Sequence, residues 1–497
     1  MICDRTQPPQ GTVRDWLDAR AEGSEIAIVF PEEGDVLTWH ALRDQARAMA
    51  EGLTGLGIRQ GESVAIVHPN GKAGVLALYA ALYGGFRATM INLAAGPDAM
   101  GYALGHSGAR YAFVHETQND LIAKIKPEGM QILDDAMLAD RGPIPDFGPE
   151  THALLMYTSG TTGRPKGVVH SHASLLAGGW TTSIAHDLKP EDRGFCVLPI
   201  YHINGLCVTV MGTLVSGGSL AMVPRFSASR FWAQAEAAEV TWFSVVPTII
   251  SHLLHSDTNP SAATRARLRF GRSASSALAV ETQAAFEDRF GVPIIETMGL
   301  TETAAQILSN PLPPGVRKIG SPGIAFGNEV AIFTADLQSA PPLQEGEIVV
   351  RGPNVMCAYL DNPEATAKTF AGDWLRTGDL GHIDADGYIF VTGRLKELII
   401  KGGENIAPRE IDEVLYSQPD VIEAAAFARP CARYGERVEA AIALKAGSSV
   451  SEADLIALCK ARLGDFKAPD CIHFLDELPK GPSGKIQRLK LAELIPV

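Results

Sequence analysis

At 497 residues the chain is too long for one ordinary core, and its length implies at least two domains. Hydrophobic residues make up 46% and charged residues 20%, a globular composition, and a net charge of −14 argues against nucleic acid or an anionic membrane as partner. The seven cysteines are scattered, with no C-x-x-C pair, which argues against a disulfide framework or zinc cluster and for a reducing, cytoplasmic setting.

The N-terminal MICDRTQPPQ lacks the basic start and apolar run of a signal peptide. Residues 38 to 57 are predicted to form a helix, because Leu42, Ala46, Met49, Leu53 and Leu56 recur at helical spacing before Gly57. The most apolar stretch, near Val75 to Phe86, is broken by Gly84 and Gly85 and falls short of the about 20 residues a membrane span needs. Short β-rich runs then alternate with helical stretches: SVAIVHPN, RYAFVHE, HALLMYTSG, SLAMVP, VTWFSVVP and PIIETMG. That alternation predicts a layered α/β domain with largely parallel strands. GEIVVRGP, GHIDADGYIFVTG and KELIIKGG have hairpin chemistry, clearest at Asp386-Gly387, and predict a small β section. Past Gly393, Pro408 opens a short amphipathic helix, AAAFARP and VEAAIALKAG follow as strands, and a helix runs near Glu452 to Leu463. The expected division is therefore a large domain over 1–393, a hinge at 394–397, and a smaller α+β domain over 398–497. The C-terminal AELIPV is neither a prenylation site nor a peroxisomal address.

The strongest local feature is Thr158-Ser-Gly-Thr-Thr-Gly-Arg-Pro-Lys-Gly167, directly after the strand-like ALLMY. Hydroxyls at Thr158, Ser159, Thr161 and Thr162, with Gly160, Gly163 and Gly167, make a donor-rich backbone that can curl around phosphate oxygens, and Lys166 adds a positive charge. The spacing is not that of a P-loop, because no glycine sits just before Lys166 and Gly167 stands where Ser or Thr belongs. His170 and His172 form an H-x-H pair with no third ligand nearby in sequence, and are read as structural.

TSGTTGRPKG resembles the phosphate loop of the acyl-adenylate-forming superfamily, which includes acyl- and aryl-CoA synthetases, luciferases and peptide-synthetase adenylation domains. Further blocks follow in that family's order: Pro199–Leu206, Glu296–Thr303, Thr377–Asp379, Gly393–Glu397, Gly402–Ile406 and Pro479–Arg488. The resemblance runs from about residue 12 to 490, and it implies an ATP- and Mg²⁺-dependent ligase that forms an acyl-adenylate and passes the acyl group to coenzyme A. It implies that Glu302, with Thr158, holds Mg²⁺, a hard cation that takes oxygen donors. Asp379 would accept from the ribose hydroxyls, Arg394 would lie near ribose and phosphate, and Lys485 would reach the α-phosphate and attacking carboxylate, where fixed positive charge is needed. Ser275, Ser276, Thr297, Met298, Gly299, Leu300 and Thr301 complete the implied nucleotide site. Met298 replaces the usual adenine-stacking Tyr, and its sulfur can still cover a purine face. Lys396 matches the hinge position. Lys401, Gly402 and Gly403, with Tyr434 and Phe466, match the coenzyme A tunnel. His202, Arg272, Ser273 and Gly299 match the acid pocket.

RFSASRFW, VTWFSVVPTI and the stretch from RSASSALAVE to SNPLPPGVRKIGSPG are most similar to the oxalate–CoA ligase branch. The hydroxyl-lined Ser273–Leu278 loop and Arg272 suit a short acid, polar or dicarboxylic such as oxalate, while Thr297, standing where malonate-type relatives carry arginine, weighs against malonate. Asp470, not a cation, closes Phe466-Lys-Ala-Pro-Asp470, which leaves a carrier-protein phosphopantetheine as the alternative acceptor. A nucleotide-binding regulator without catalysis is the alternative of another class, and Glu302, Asp379, Arg394 and Lys485 argue against it. A homodimer is the expected assembly, symmetric dimers being common.

Overall fold

The structure is a computed structural model that describes residues 3–158, 165–481 and 485–495. The predicted helix near residue 38 runs Trp39–Gly55, with the Thr38 hydroxyl accepting from the Ala41 amide at its start. It ends as the sequence suggests. Gly57 takes φ +74°, its amide reaches Thr54 O at 2.9 Å, and the Ile58 amide reaches Leu53 O at 3.3 Å. This is the paired closure that a left-handed residue after a helix allows. The apolar helix Lys72–Gly84 beside it is buried almost all round, a core helix between layers. Among the described residues no helix is long and apolar enough to cross a membrane.

The six β-rich runs singled out above are all strands. One large sheet has a parallel centre in the order Ile294–Leu300, Phe270–Ser273, Trp242–Val245, Arg193–Cys196, Ser219–Met222, Ile26–Phe30, with antiparallel partners at both edges. A second runs parallel through His152–Thr158, Arg87–Met90, Ser63–Val67 and Tyr111–Val114. The strand Lys166–Ser171 folds back antiparallel on His152–Thr158, so Lys166 opens a strand opposite Thr158. The hairpin-like runs form a small antiparallel sheet in which Trp374–Ile383 pairs with Ile389–Arg394 around the expected Asp-Gly turn. This arrangement is the layered α/β large domain with an added β section that the pattern predicted.

From Ile399 onward the chain builds its own sheet and core. The strands Val421–Cys431 and Gly435–Leu444 form a long hairpin, packed by the helices Pro408–Tyr416 and Glu452–Leu463. Capping explains the latter helix: Ser451 and Asp454 bond each other's amides reciprocally, and Gly464 ends it. The apolar clusters of this smaller lobe share no residue with those of the large one. The lobes meet through polar contacts. Arg409 donates to Val391 O at 2.6 Å and Gly320 O at 3.2 Å, and Ser251 Oγ donates to Ile422 O at 3.1 Å.

Candidate active site

Parallel strands leave a crevice beyond their carboxyl ends, where ligands of open α/β sheets collect. Here the strands ending at Cys196, Val245 and Ser273 lead to Leu198, Pro199 and His202 to Asn204, to Val246, and to Ala274 and Ser275, which line one cleft of about 500 Å³. A smaller cavity of about 240 Å³ continues from it past Met298 and Asp379 towards the small lobe. Gly299 lies where the two join. A Cβ there would stand 1.4 Å from Ala305 O, so only glycine permits this strand pairing.

At the junction, Asp379 and Arg394 face each other across paired strands with the Arg394 Nε 2.6 Å from the carboxylate. Burial raises the Asp379 pKa, against the pull of Arg394 and Lys485; Asp379 in turn raises that of Arg394. The turn carrying Asp379 is held on both sides. Glu347 accepts from the Gly378 amide and Arg376, and Thr377 Oγ1 donates to Ile348 O at 2.7 Å. Lys485 comes from the small lobe into the same space, and burial followed by Arg394 lowers its pKa. Lys396 and Glu397 of the hinge also line the cleft.

Glu302 sits on the single turn Thr301–Thr303, with Tyr359 Oη donating to it at 2.7 Å. The Lys166 ammonium lies 3.9 Å from the Tyr359 ring centroid, and burial lowers its pKa. Thr158, Lys166, Thr301 and Glu302 share the cleft wall, a set of oxygen donors and one cation suited to a hard divalent ion and polyphosphate. Ser159, Gly160, Thr161 and Thr162 lie outside the described residues. His170, fully buried beneath this turn, sets its position. Burial pushes its pKa down to about 4, so the ring is neutral, and because a carbonyl can only accept, Nε2 carries the proton to Thr301 O at 2.7 Å. His170→Leu strands that carbonyl. We expect a loss of about 1–3 kcal/mol, read by thermal unfolding.

At the other end, Arg272 is 1% exposed. Its Nη1 donates to Asn204 Oδ1 at 2.8 Å and Ser244 Oγ at 3.2 Å, and its Nε to Gln306 Oε1 at 3.4 Å. Burial pushes its pKa down to about 9. His202 and Asn204 line the same wall, Asn204 opening a π-helical stretch that runs to Met211, a distortion frequent at functional sites. Ser273 is fully buried on the strand itself and does not reach the cleft, whereas Ser275 does, at φ +75°.

Ser276, Thr297, Met298 and Leu300 line the smaller cavity with Glu296, which the sequence reading left unassigned. Glu296 is 2% exposed. Its Oε1 accepts from the Leu278 amide at 3.1 Å, while Oε2 has no partner among the described residues. Burial pushes its pKa up to about 7. An acid whose folded pKa exceeds its unfolded value stabilises the fold below the unfolded pKa and loses that contribution as pH rises through the folded one. Wild-type stability should therefore fall between pH about 4.5 and 7 relative to Glu296→Gln. Paired thermal denaturation curves check it; parallel curves would show a constant proton count.

Lys401, Gly402, Gly403, Tyr434 and Phe466 gather elsewhere, on the small lobe. Lys401 Nζ donates to Phe466 O at 2.9 Å, the Gly402 amide to Tyr434 O at 2.8 Å, and Gly402 and Gly403 take φ +61° and +89°. Both rings are partly exposed beside a narrow glycine turn.

Residues 16–360 match the family described as AMP-binding enzyme, and residues 410–485 its C-terminal domain. The chain is 44% identical over 479 residues to the sulfoacetate–CoA ligase of Cupriavidus necator, covering 93% of this chain and 94% of that one. It is 35% identical to the oxalate–CoA ligase of Arabidopsis thaliana, covering 90% and 91%. Among solved structures, ATP-bound MatB from Rhodopseudomonas palustris superposes with a TM-score of 0.89 at 29% identity, over 97% of this chain and 98% of that one. The o-succinylbenzoate CoA synthetase of Bacillus subtilis, in complex with its acyl-adenylate, gives 0.84 at 29% identity over 98% of both. Two lobes converging on one cleft that Arg272, Glu302, Arg394 and Lys485 line, and family matches that span both, lead to one conclusion: the chain belongs to the AMP-binding enzyme family, among its acid–CoA ligases.

Proposed function

We propose that the chain activates a small polar carboxylic acid with ATP and transfers it to coenzyme A, each residue acting as follows. The acid carboxylate attacks the α-phosphorus, the acyl–O–P bond forms, and the bond to pyrophosphate breaks. Two anions must approach, so positive charge has to be fixed in place beforehand. Lys485 and Arg394 supply it at the α-phosphate, and Asp379 accepts from the ribose hydroxyls. The cation that best fits Glu302 and Thr158 is Mg²⁺, which when bound would neutralise charge on the polyphosphate. In the second step the coenzyme A sulfur attacks the acyl carbon and AMP leaves. Lys401, Gly402, Gly403, Tyr434 and Phe466 are the surface we assign to the pantetheine arm, brought to the cleft by rotation about Lys396.

The observation that carries this reading is the arrival of Lys485, from the small lobe, beside the Asp379–Arg394 pair in a cleft that also holds Arg272. Purified protein given ATP, Mg²⁺, coenzyme A and a small polar acid should release AMP and yield the acyl-CoA by mass spectrometry. Adenylate that forms but transfers only to a carrier-protein phosphopantetheine would move the acceptor and leave the first step standing.

A further inference from the structure

The guanidinium of Arg272 is buried at the floor of the acid end, and every group the structure gives it is neutral: Asn204, Ser244 and Gln306. No carboxylate pairs with it among the described residues, and its Nη2 makes no hydrogen bond there. A buried charge left without a counter-ion is costly, and folds do not keep one for stability. Its neighbours are themselves locked. The Asn204 amide nitrogen donates to Ser275 Oγ and the Gln306 amide nitrogen to Thr181 O, which turns both amide oxygens to the arginine. The fork is thus held still, with the cleft as the open direction.

We propose that Arg272 supplies the missing half of an ion pair that the substrate completes, so the acid activated here carries a second, permanent anion at the end opposite its reacting carboxylate. This deepens the ligase reading above and rests on it. The reacting carboxylate is the wrong partner for Arg272. It loses its charge on becoming an anhydride, so an arginine bound to it would favour the ground state over the transition state. A distal anion keeps its charge through both steps and anchors the molecule while the other end reacts. Sulfonate and carboxylate share this chemistry. Arg272, Asn204, Ser275 and Lys485 line one cleft, so a single acid can meet the arginine at one end and the lysine at the other.

The test is acid-dependent pyrophosphate exchange with sulfoacetate, oxalate, malonate, acetate and propionate. Wild type should prefer one of the dianions to acetate by about 10⁴ in kcat/KM, the discrimination expected when a buried polar group is otherwise left unpaired. The sulfonate and carboxylate arms decide which anion it is. Arg272→Met should collapse that ratio, and the preferred dianion should raise the melting temperature of wild type but not of the variant, while AMP shifts both. Asn204→Asp places a carboxylate on Nη1 and should collapse the ratio in a chain whose internal charge is balanced, so an unfolded Arg272→Met does not end the test. Acetate or propionate turned over as well as every dianion overturns the inference and leaves the ligase intact. Equal loss on all acids in both variants also overturns it. No exchange with any acid, in protein that binds ATP, overturns the ligase reading itself.

Discussion

Replacing Lys485 with alanine should cut adenylate formation about 10²–10³-fold, the usual cost of one preorganised contact to developing negative charge. Pyrophosphate exchange measures it. Thioester formation from supplied acyl-adenylate should be nearly untouched, because the rotation proposed about Lys396 takes the lysine out of the cleft before the sulfur attacks. The split between half-reactions separates a chemical role from a structural one. The environment adds a second signature. Burial and Arg394 hold the Lys485 pKa below the ordinary 10.5. Only the ammonium can stabilise the phosphate, so adenylation should decline on the alkaline side at a lower pH than a solvated lysine gives. Lys485→Arg should shift that limb upward, since guanidinium does not titrate there. Undiminished exchange in Lys485→Ala would end the assignment.

The largest stability effect is expected at Arg488. Its Nη2 lies 2.5 Å from Asp412 Oδ2, Nη1 donates to Asp412 and to Ala426 O, and Nε lies 3.3 Å from Glu397. Arg488→Met leaves Asp412 buried with only the Ala426 amide for company, and burial already raises its pKa. Breaking such a pair from one side costs about 3–5 kcal/mol. Removing both charges with Arg488→Met and Asp412→Leu should recover much of the loss, which a double-mutant cycle reads directly. All six tryptophans lie at or before residue 374, so intrinsic fluorescence would report the wrong lobe. Calorimetry is the appropriate measurement, and an additive cycle would show that the two residues do not act as a pair.

Periodicity made the helices legible because their apolar faces repeat locally. Trp39–Gly55 and Glu452–Leu463 lie within a residue or two of where spacing and caps put them. The blocks carrying Asp379, Arg394 and Lys485 were singled out by resemblance to a family, and the structure brings the three residues to one cavity. Lys166 was less so: it read as part of a loop, yet it opens a strand, because pairing back onto Thr158 is a non-local choice. The neighbours of Arg272 had no local signal. Ser244 is an ordinary strand serine, Gln306 lies in an apolar strand, and Asn204 was visible only as a letter in a longer block; the sheet order brings them together. Glu296 illustrates the same limit, since the environment that withholds its second oxygen from any partner comes from distant chain.

The rotation proposed about Lys396 would leave the apolar core of each lobe intact. Among the described residues the polar contacts between the lobes include Arg409 on Val391 O and Gly320 O, Ser251 on Ile422 O, and His252 Nε2 3.9 Å from Glu423. Exchanging such bonds for water costs about 0.5–1.5 kcal/mol net for a hydroxyl donor and about 1.5–3 kcal/mol for a guanidinium. An oily seam would instead have penalised every opening in proportion to its area. A lobe turning as proposed, to present two of its faces to one cleft, would be spared from melting part of itself.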